Sequence, residues 1–90
     1  MGRAIRRTSQ FKKNYKRAVK QRRNLEELYD IILTIQHDEP LCLNRKDHAL
    51  TGSMIGYREL HIKPDWLLVY QIRGDELVLV DCGTHTELFD

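Results

Sequence analysis

Phe11, Tyr15, Ala18 and Val19 fall on one face of an α-helix, and Lys and Arg crowd the opposite face. Thr8 or Ser9 can cap its start. A second apolar stripe follows, formed by Leu28, Ile31, Ile32 and Ile35 with Leu25 assisting. Asn24, with Glu27 three residues later, opens this helix in the manner of a capping box. Glu26, Glu27 and Asp30 occupy its first turns, where the helix dipole favours negative charge. It is expected to end near His37, because Pro40 disfavours helix at Glu39. The short link predicts an antiparallel helical hairpin. Ahead of both helices, residues 3–8 alternate partly and predict a first or edge strand.

Residues 38–56 show no strong period and contain Pro40, Gly52 and Gly56, so they read as a loop. From Gly56 the period changes to two. Tyr57, Glu59 and His61 point one way, and Arg58, Leu60 and Ile62 the other. Pro64 lacks a backbone donor and marks a turn. Trp66 to Ile72 and Leu77 to Cys82 are two further strands, joined by a turn over 73–76. Their nearly continuous apolar runs predict central strands of an antiparallel sheet with the helices on one face. Gly83 ends the last strand, and 84–90 form a short tail of about one helical turn. The chain is thus an α+β protein, and residues 1–90 are one domain with a single core.

Charge adds what the net value of +2 conceals. Residues 1–23 carry ten of the 15 Lys/Arg and no acid, whereas all 13 acids lie in residues 24–90. Such a block points to a polyanionic or acidic partner, with Lys12, Lys13, Lys16, Arg17 and Lys20 on the exposed helix face. No apolar run approaches a membrane span of about 18 residues, and no apolar segment follows the N-terminal cations as in a secretory signal. Cys42 and Cys82 lack the paired spacing of a structural zinc site. They read as reduced thiols of a cytoplasmic protein.

Three histidines stand outside the helices: His48, His61 and His85. Imidazole exchanges protons near neutral pH. His61 shares a polar strand face with Tyr57 and Glu59, which predicts an open groove there. The adjacent turn brings His61 near Asp65 and Trp66, the only Trp. Asp65 can orient an imidazole, serve as a base, or cap the turn. Trp66 can fill the core or stack on a base, and Phe89 can close a groove or pin the tail. Histidines and an Asp beside a cationic surface suit metal-free RNA cleavage. There the 2′-hydroxyl loses a proton to attack phosphorus and the leaving 5′-oxygen gains one.

Three blocks carry a resemblance to a known family. They are Lys46-Asp47-His48-Ala49-Leu50-Thr51-Gly52, Gly56-Tyr57-Arg58-Glu59-Leu60-His61-Ile62-Lys63-Pro64-Asp65-Trp66-Leu67-Leu68-Val69-Tyr70, and Gly83-Thr84-His85-Thr86-Glu87-Leu88-Phe89. In this order and spacing the chain resembles the YafQ branch of the RelE/ParE toxin superfamily. The resemblance implies a RelE-like fold and the toxin of a type II toxin–antitoxin system. Such a toxin cuts mRNA in the ribosomal A site, needs no cofactor, and is silenced by a DinJ-like antitoxin in a hetero-oligomer. It implies active-site roles for His48, His61, Asp65, Trp66, His85 and Phe89, with His85 and Asp65 the first candidates for proton transfer and His48 and His61 positioning the phosphate or sharing that work. The basic helix would meet ribosomal RNA. A superfamily alternative is a non-catalytic binder of a protein such as gyrase, in the ParE manner. Three placed imidazoles argue against it. One position departs from the pattern: Asp81 stands where family members usually carry an Arg. Such an Arg would offer phosphate a planar fork of donors, so Asp81 could attenuate cleavage. By alternation Arg58 lies on the face opposite His61 and is a poor substitute.

Overall fold

The computed structural model describes residues 2–89; Met1 and Asp90 lie outside the described residues. The strands are β1 (Ala4–Arg7), β2 (His48–Ala49), β3 (Arg58–Lys63), β4 (Trp66–Arg73) and β5 (Glu76–Gly83). The helices are α1 (Ser9–Lys20), α2 (Leu25–Gln36) and α3 (His85–Phe89). Two single 3₁₀ turns, Leu43–Arg45 and Gly52–Met54, flank β2. The expected loop over 38–56 therefore holds a strand of its own, too short to leave a periodic signal.

The strands form one sheet in the order β1-β5-β4-β3-β2. It is antiparallel except at one edge, where β1 runs parallel to β5. The expected antiparallel sheet is thus mixed: helices α1 and α2 and the 38–56 crossover separate β1 from β5, so no hairpin dictates their direction. The apolar runs of β4 and β5 do sit centrally. Leu60, Ile62, Trp66, Leu68, Tyr70, Leu77, Leu79 and Cys82 meet Phe11 and Ala18 of α1 and Leu28, Ile31, Ile32 and Ile35 of α2 in one core.

Both helix starts carry the N-caps their sequences predict, but the Glu27 carboxylate pairs with Arg45 and Lys63 and does not complete a capping box. The Thr8 hydroxyl accepts from Phe11 N at 3.0 Å and donates to Val80 O at 2.6 Å, so the cap also ties α1 to β5. Asn24 Oδ1 accepts from Glu27 N at 3.0 Å. One helical face departs from expectation: Asn14 is buried, while Val19 is 47% exposed.

The β4–β5 register slips at one place. Val69 faces Asp81 and Tyr70 faces Leu79, leaving Val80 unpaired in a β-bulge. The core face of β5 accordingly runs Leu77, Leu79, Cys82 and not Leu77, Leu79, Asp81. The bulge places Asp81 in register with Val69, Glu59 and His48, one row across four strands.

Candidate active site

The face of the sheet away from α2 bears Glu59, His61, Leu67 and Val69, the alternates of core residues Leu60, Ile62, Leu68 and Tyr70. At its β2 end lies a cleft of about 280 Å³ lined by His48, Leu50, Thr51, Met54, Glu59, His85 and Phe89. Residues far apart in sequence converge there for local reasons. Pairing of β2 with β3 sets His48 opposite Glu59. Gly83 lets the chain fold α3 back, since a Cβ there would come within 2.9 Å of Glu87 Oε1 and 3.3 Å of Glu87 Cβ. Thr84 caps α3, its hydroxyl accepting from Glu87 N at 3.1 Å while Glu87 Oε1 accepts from Thr84 N at 2.8 Å. Arg17 of α1 then holds Glu87 at 3.0 Å. The Thr84 N–H, assisted by Arg17, keeps the Glu87 carboxyl below the usual carboxylate range.

Within the cleft His48 is half-exposed, and its Nε2 lies 3.2 Å from Oε1 of Glu59, whose side chain is 6% exposed. His48 Nδ1 lies 3.2 Å from Ala49 O. Both neighbours are oxygens that accept, so the ring bonds to both only as a double donor. His85 lines the same cleft, its ring 5.0 Å from that of Phe89 and tilted by 51°. His61 follows Glu59 on the same strand face, about 7 Å along. Its Nδ1 lies 3.2 Å from Pro64 O. A carbonyl only accepts, so Nδ1 is the donor in this contact.

The expected site residues are thus distributed unequally. His48, His85 and Phe89 share the cleft, while His61 lines a separate depression with Glu27, Arg45, Lys46 and Lys63. Asp65 is exposed on the β3–β4 turn and lines neither. Trp66 is a correction: at 1% exposure it belongs to the core, with the Arg23 guanidinium 5.4 Å from its ring centroid, and offers no face on which a base could stack. The strand face expected to be open is closed at Glu59, which is 4% exposed. Sequence reasoning gives Glu59 no role of its own; an acid two residues before His61 on a polar strand face is the available signal.

Asp81 shares the row of His48 and Glu59, but its carboxylate is engaged sideways. Oδ1 accepts from Asn14 Nδ2 at 2.5 Å and from Cys82 N at 2.8 Å. Asn14 Oδ1 is buried without a hydrogen-bond partner among the described residues. Burial, and then the Asp81 charge, pushes the Cys82 thiol up to about 12. Arg58 lies on the other face, bound to Asp47.

Of the basic helix residues, Lys12, Lys16 and Lys20 line a shallow groove of about 450 Å³ with Arg7, Tyr15 and Val19. Lys13 is exposed beside them. Arg17, on the same helix, also pairs with Glu87 at 3.0 Å. Among the described residues no three His, Cys, Asp or Glu groups cluster as metal ligands would, and no helix is long and apolar enough to cross a membrane.

A small mixed sheet with α1 and α2 on one face and a histidine-lined cleft on the other defines a compact α+β protein. Residues 3–90 match the family model described as the bacterial toxin of type II toxin–antitoxin system, YafQ. The chain belongs to this YafQ toxin family. It is 39% identical over 83 residues to the mRNA interferase toxin YafQ of Escherichia coli K12, covering 91% of this chain and 90% of that protein. The crystal structure of the E. coli DinJ-YafQ toxin-antitoxin complex contains a chain that superposes with TM-score 0.91 at 34% identity, covering 100% of both chains. A copper-bound mutant toxin from Helicobacter pylori superposes with TM-score 0.94 at 38% identity, covering 97% of this chain and 99% of that one.

Proposed function

We propose that the chain is an mRNA interferase: an endoribonuclease that cuts mRNA on the ribosome in the cytoplasm and is silenced by a DinJ-like antitoxin. The supporting observation is the cleft lined by His48, backed by buried Glu59, together with His85 and Phe89. RNA cleavage through its own 2′-hydroxyl requires one group to take that proton and another to protonate the leaving 5′-oxygen. The products are a 2′,3′-cyclic phosphate and a 5′-hydroxyl, with no net consumption of protons.

His48 and His85 line the same cleft and are the proton-transfer pair in this reading, with Phe89 packing against the substrate beside His85. His61 stands next along the strand to hold the phosphate or share in proton transfer. Asp65 has the weaker claim of a turn residue at the edge of the site. Lys12, Lys13, Lys16 and Lys20 present a cationic surface for the ribosomal RNA backbone, which supplies affinity without sequence readout.

Incubating the protein with translating ribosomes and mapping new mRNA 5′ ends tests this reading. Cleavage is expected, and His85→Ala should lower its rate by about 10²–10⁴, the usual contribution of a positioned acid or base. Undiminished cleavage by His85→Ala would remove the proton-transfer assignment. Absence of cleavage even from Asp81→Arg would remove the enzyme reading.

A further inference from the structure

We propose that Asp47, Arg58 and Tyr70 form a clamp on the reverse face of the sheet that positions His48 in the cleft. It rests on the reading that His48 acts in RNA cleavage. The difficulty it resolves is mechanical. His48 sits on a strand of two residues at the sheet edge, paired on one side only, through His48–Glu59 and Ala49–Arg58. Edge segments this short fray readily, whereas a group that exchanges protons must be held within about 0.5 Å of its working position.

Asp47, the residue just before His48, projects to the face opposite the cleft. Its Oδ1 accepts from Tyr70 OH at 2.5 Å, and its Oδ2 accepts from Arg58 Nη2 at 2.9 Å, with Arg58 Nε a further 3.4 Å from Oδ1. Arg58 and Tyr70 are themselves cross-strand partners on β3 and β4. Tyr70 is 2% exposed within the core, so its hydroxyl is a fixed post. Alternation from Asp47 into β2 does the rest: with Asp47 fastened below the sheet, His48 is directed above it.

The clamp holds its charge state through the neutral range. Burial, and then the bond to Asp47, raises the Tyr70 phenol above its ordinary value, so it remains a donor. Hydrogen bonding to Asp47 raises the Arg58 guanidinium further. The three side chains are positioning residues; none lines the cleft of His48 and His85.

The test uses Tyr70→Phe, which removes one oxygen and keeps the buried ring, and Asp47→Asn as a second variant. Cleavage by ribosome-bound enzyme is measured together with the ring ¹⁵N resonances of His48 and His85. We expect kcat to fall by about ten- to a hundredfold, the scale of a small misplacement of a reacting group, with KM within about twofold. His48 resonances should shift or broaden in both variants while those of His85 stay in place. In a His48→Ala background, Tyr70→Phe should cost nothing more, because the clamp acts through His48. Unchanged kcat and unchanged His48 resonances in a folded Tyr70→Phe protein would overturn the proposal. So would an equal loss with and without His48, which marks a merely structural role. Should His48→Ala cleave normally, the functional reading of His48 fails, while the resonances still decide whether the clamp holds the ring.

Discussion

The Asp81 position yields the sharpest quantitative test of the site. Two effects could make Asp81 matter: the field of its carboxylate, and the missing fork of donors that an Arg would offer phosphate. Asp81 and His48 occupy the ends of one row across four strands, a span of about 14 Å at roughly 4.8 Å per strand spacing. In water a unit charge at that range contributes about 0.3 kcal/mol, and salt with a screening length of about 8 Å reduces it further. The field on His48 is thus worth less than about a factor of two in rate. A direct donor to the transition-state oxyanion is worth about 10²–10³. Asp81→Asn should therefore leave kcat within about twofold, whereas Asp81→Arg should raise it toward that 10²–10³ range. The surroundings can accept the larger side chain. Asn14 now spends its Nδ2 on Asp81 and leaves Oδ1 unpartnered. In the Asp81→Arg variant the Asn14 amide can turn over, and its oxygen can accept from the introduced guanidinium. The lost bond to a charged group is worth about 1.5–3 kcal/mol, partly recovered by that exchange, so the variant should fold. Single-turnover cleavage on ribosomes, with urea unfolding as a control, measures both quantities. Equal gains from Asn and Arg would show that the field dominates and refute the distance argument. No gain from Arg in a folded protein would show that this position does not reach the phosphate.

Trp66→Ala should destabilise the fold by about 3–5 kcal/mol, as expected for a buried Trp, seen as a lower urea midpoint; unchanged stability with weakened RNA binding would restore Trp66 as a stacking residue. Changing Lys12, Lys13, Lys16 and Lys20 to Gln should flatten the dependence of ribosome affinity on salt, by about 0.7–0.9 in log–log slope per lost phosphate contact. An unchanged slope would dismiss α1 as the contact surface. Glu87 is held below the usual carboxylate range by Thr84 N–H and then Arg17. Its ionised form is the one that folding favours, so its contribution to docking α3 is complete above the unfolded value of about 4.3 and is lost as pH falls through the lower folded value. Phe89 ring shifts should stay constant down to that acid range and then move, and Glu87→Gln should abolish the transition. A transition of the same midpoint in the variant would assign it to another group.

Much of the fold is legible because the signals are local and redundant. The α2 stripe Leu28, Ile31, Ile32, Ile35 and the Asn24 cap point to one element, and the structure has it from Leu25 to Gln36. The misreadings occur where a long-range partner outweighs local pattern. Val19 fits the apolar stripe of α1, but Asn14 takes the inward position because Asp81 waits there with an acceptor. The direction of β1 is invisible locally, since the chain returns to it only at β5.

The site is legible to the extent that chemistry is named by residue type, and obscure where geometry decides. Histidines announce themselves, whereas the burial of Trp66 and the exposure of Asp65 do not. These neighbours differ in fate because Trp66 begins β4 beneath the helices while Asp65 stays in the turn outside the ladder. The bulge at Val80 is the deeper case. Simple alternation from Leu77 and Leu79 would send Asp81 into the core, where an unpaired carboxylate is untenable. One extra residue moves Cys82 inward and returns Asp81 to the row of His48 and Glu59. Sequence does record this, as an apolar period that slips by one between Leu79 and Cys82. An acid that falls on the core phase of a strand, followed at once by a small apolar residue, is itself the mark of a bulge. Here the slip aligns position 81 with the histidine row, so the chemistry of that position depends on Val80 as much as on the residue that occupies it.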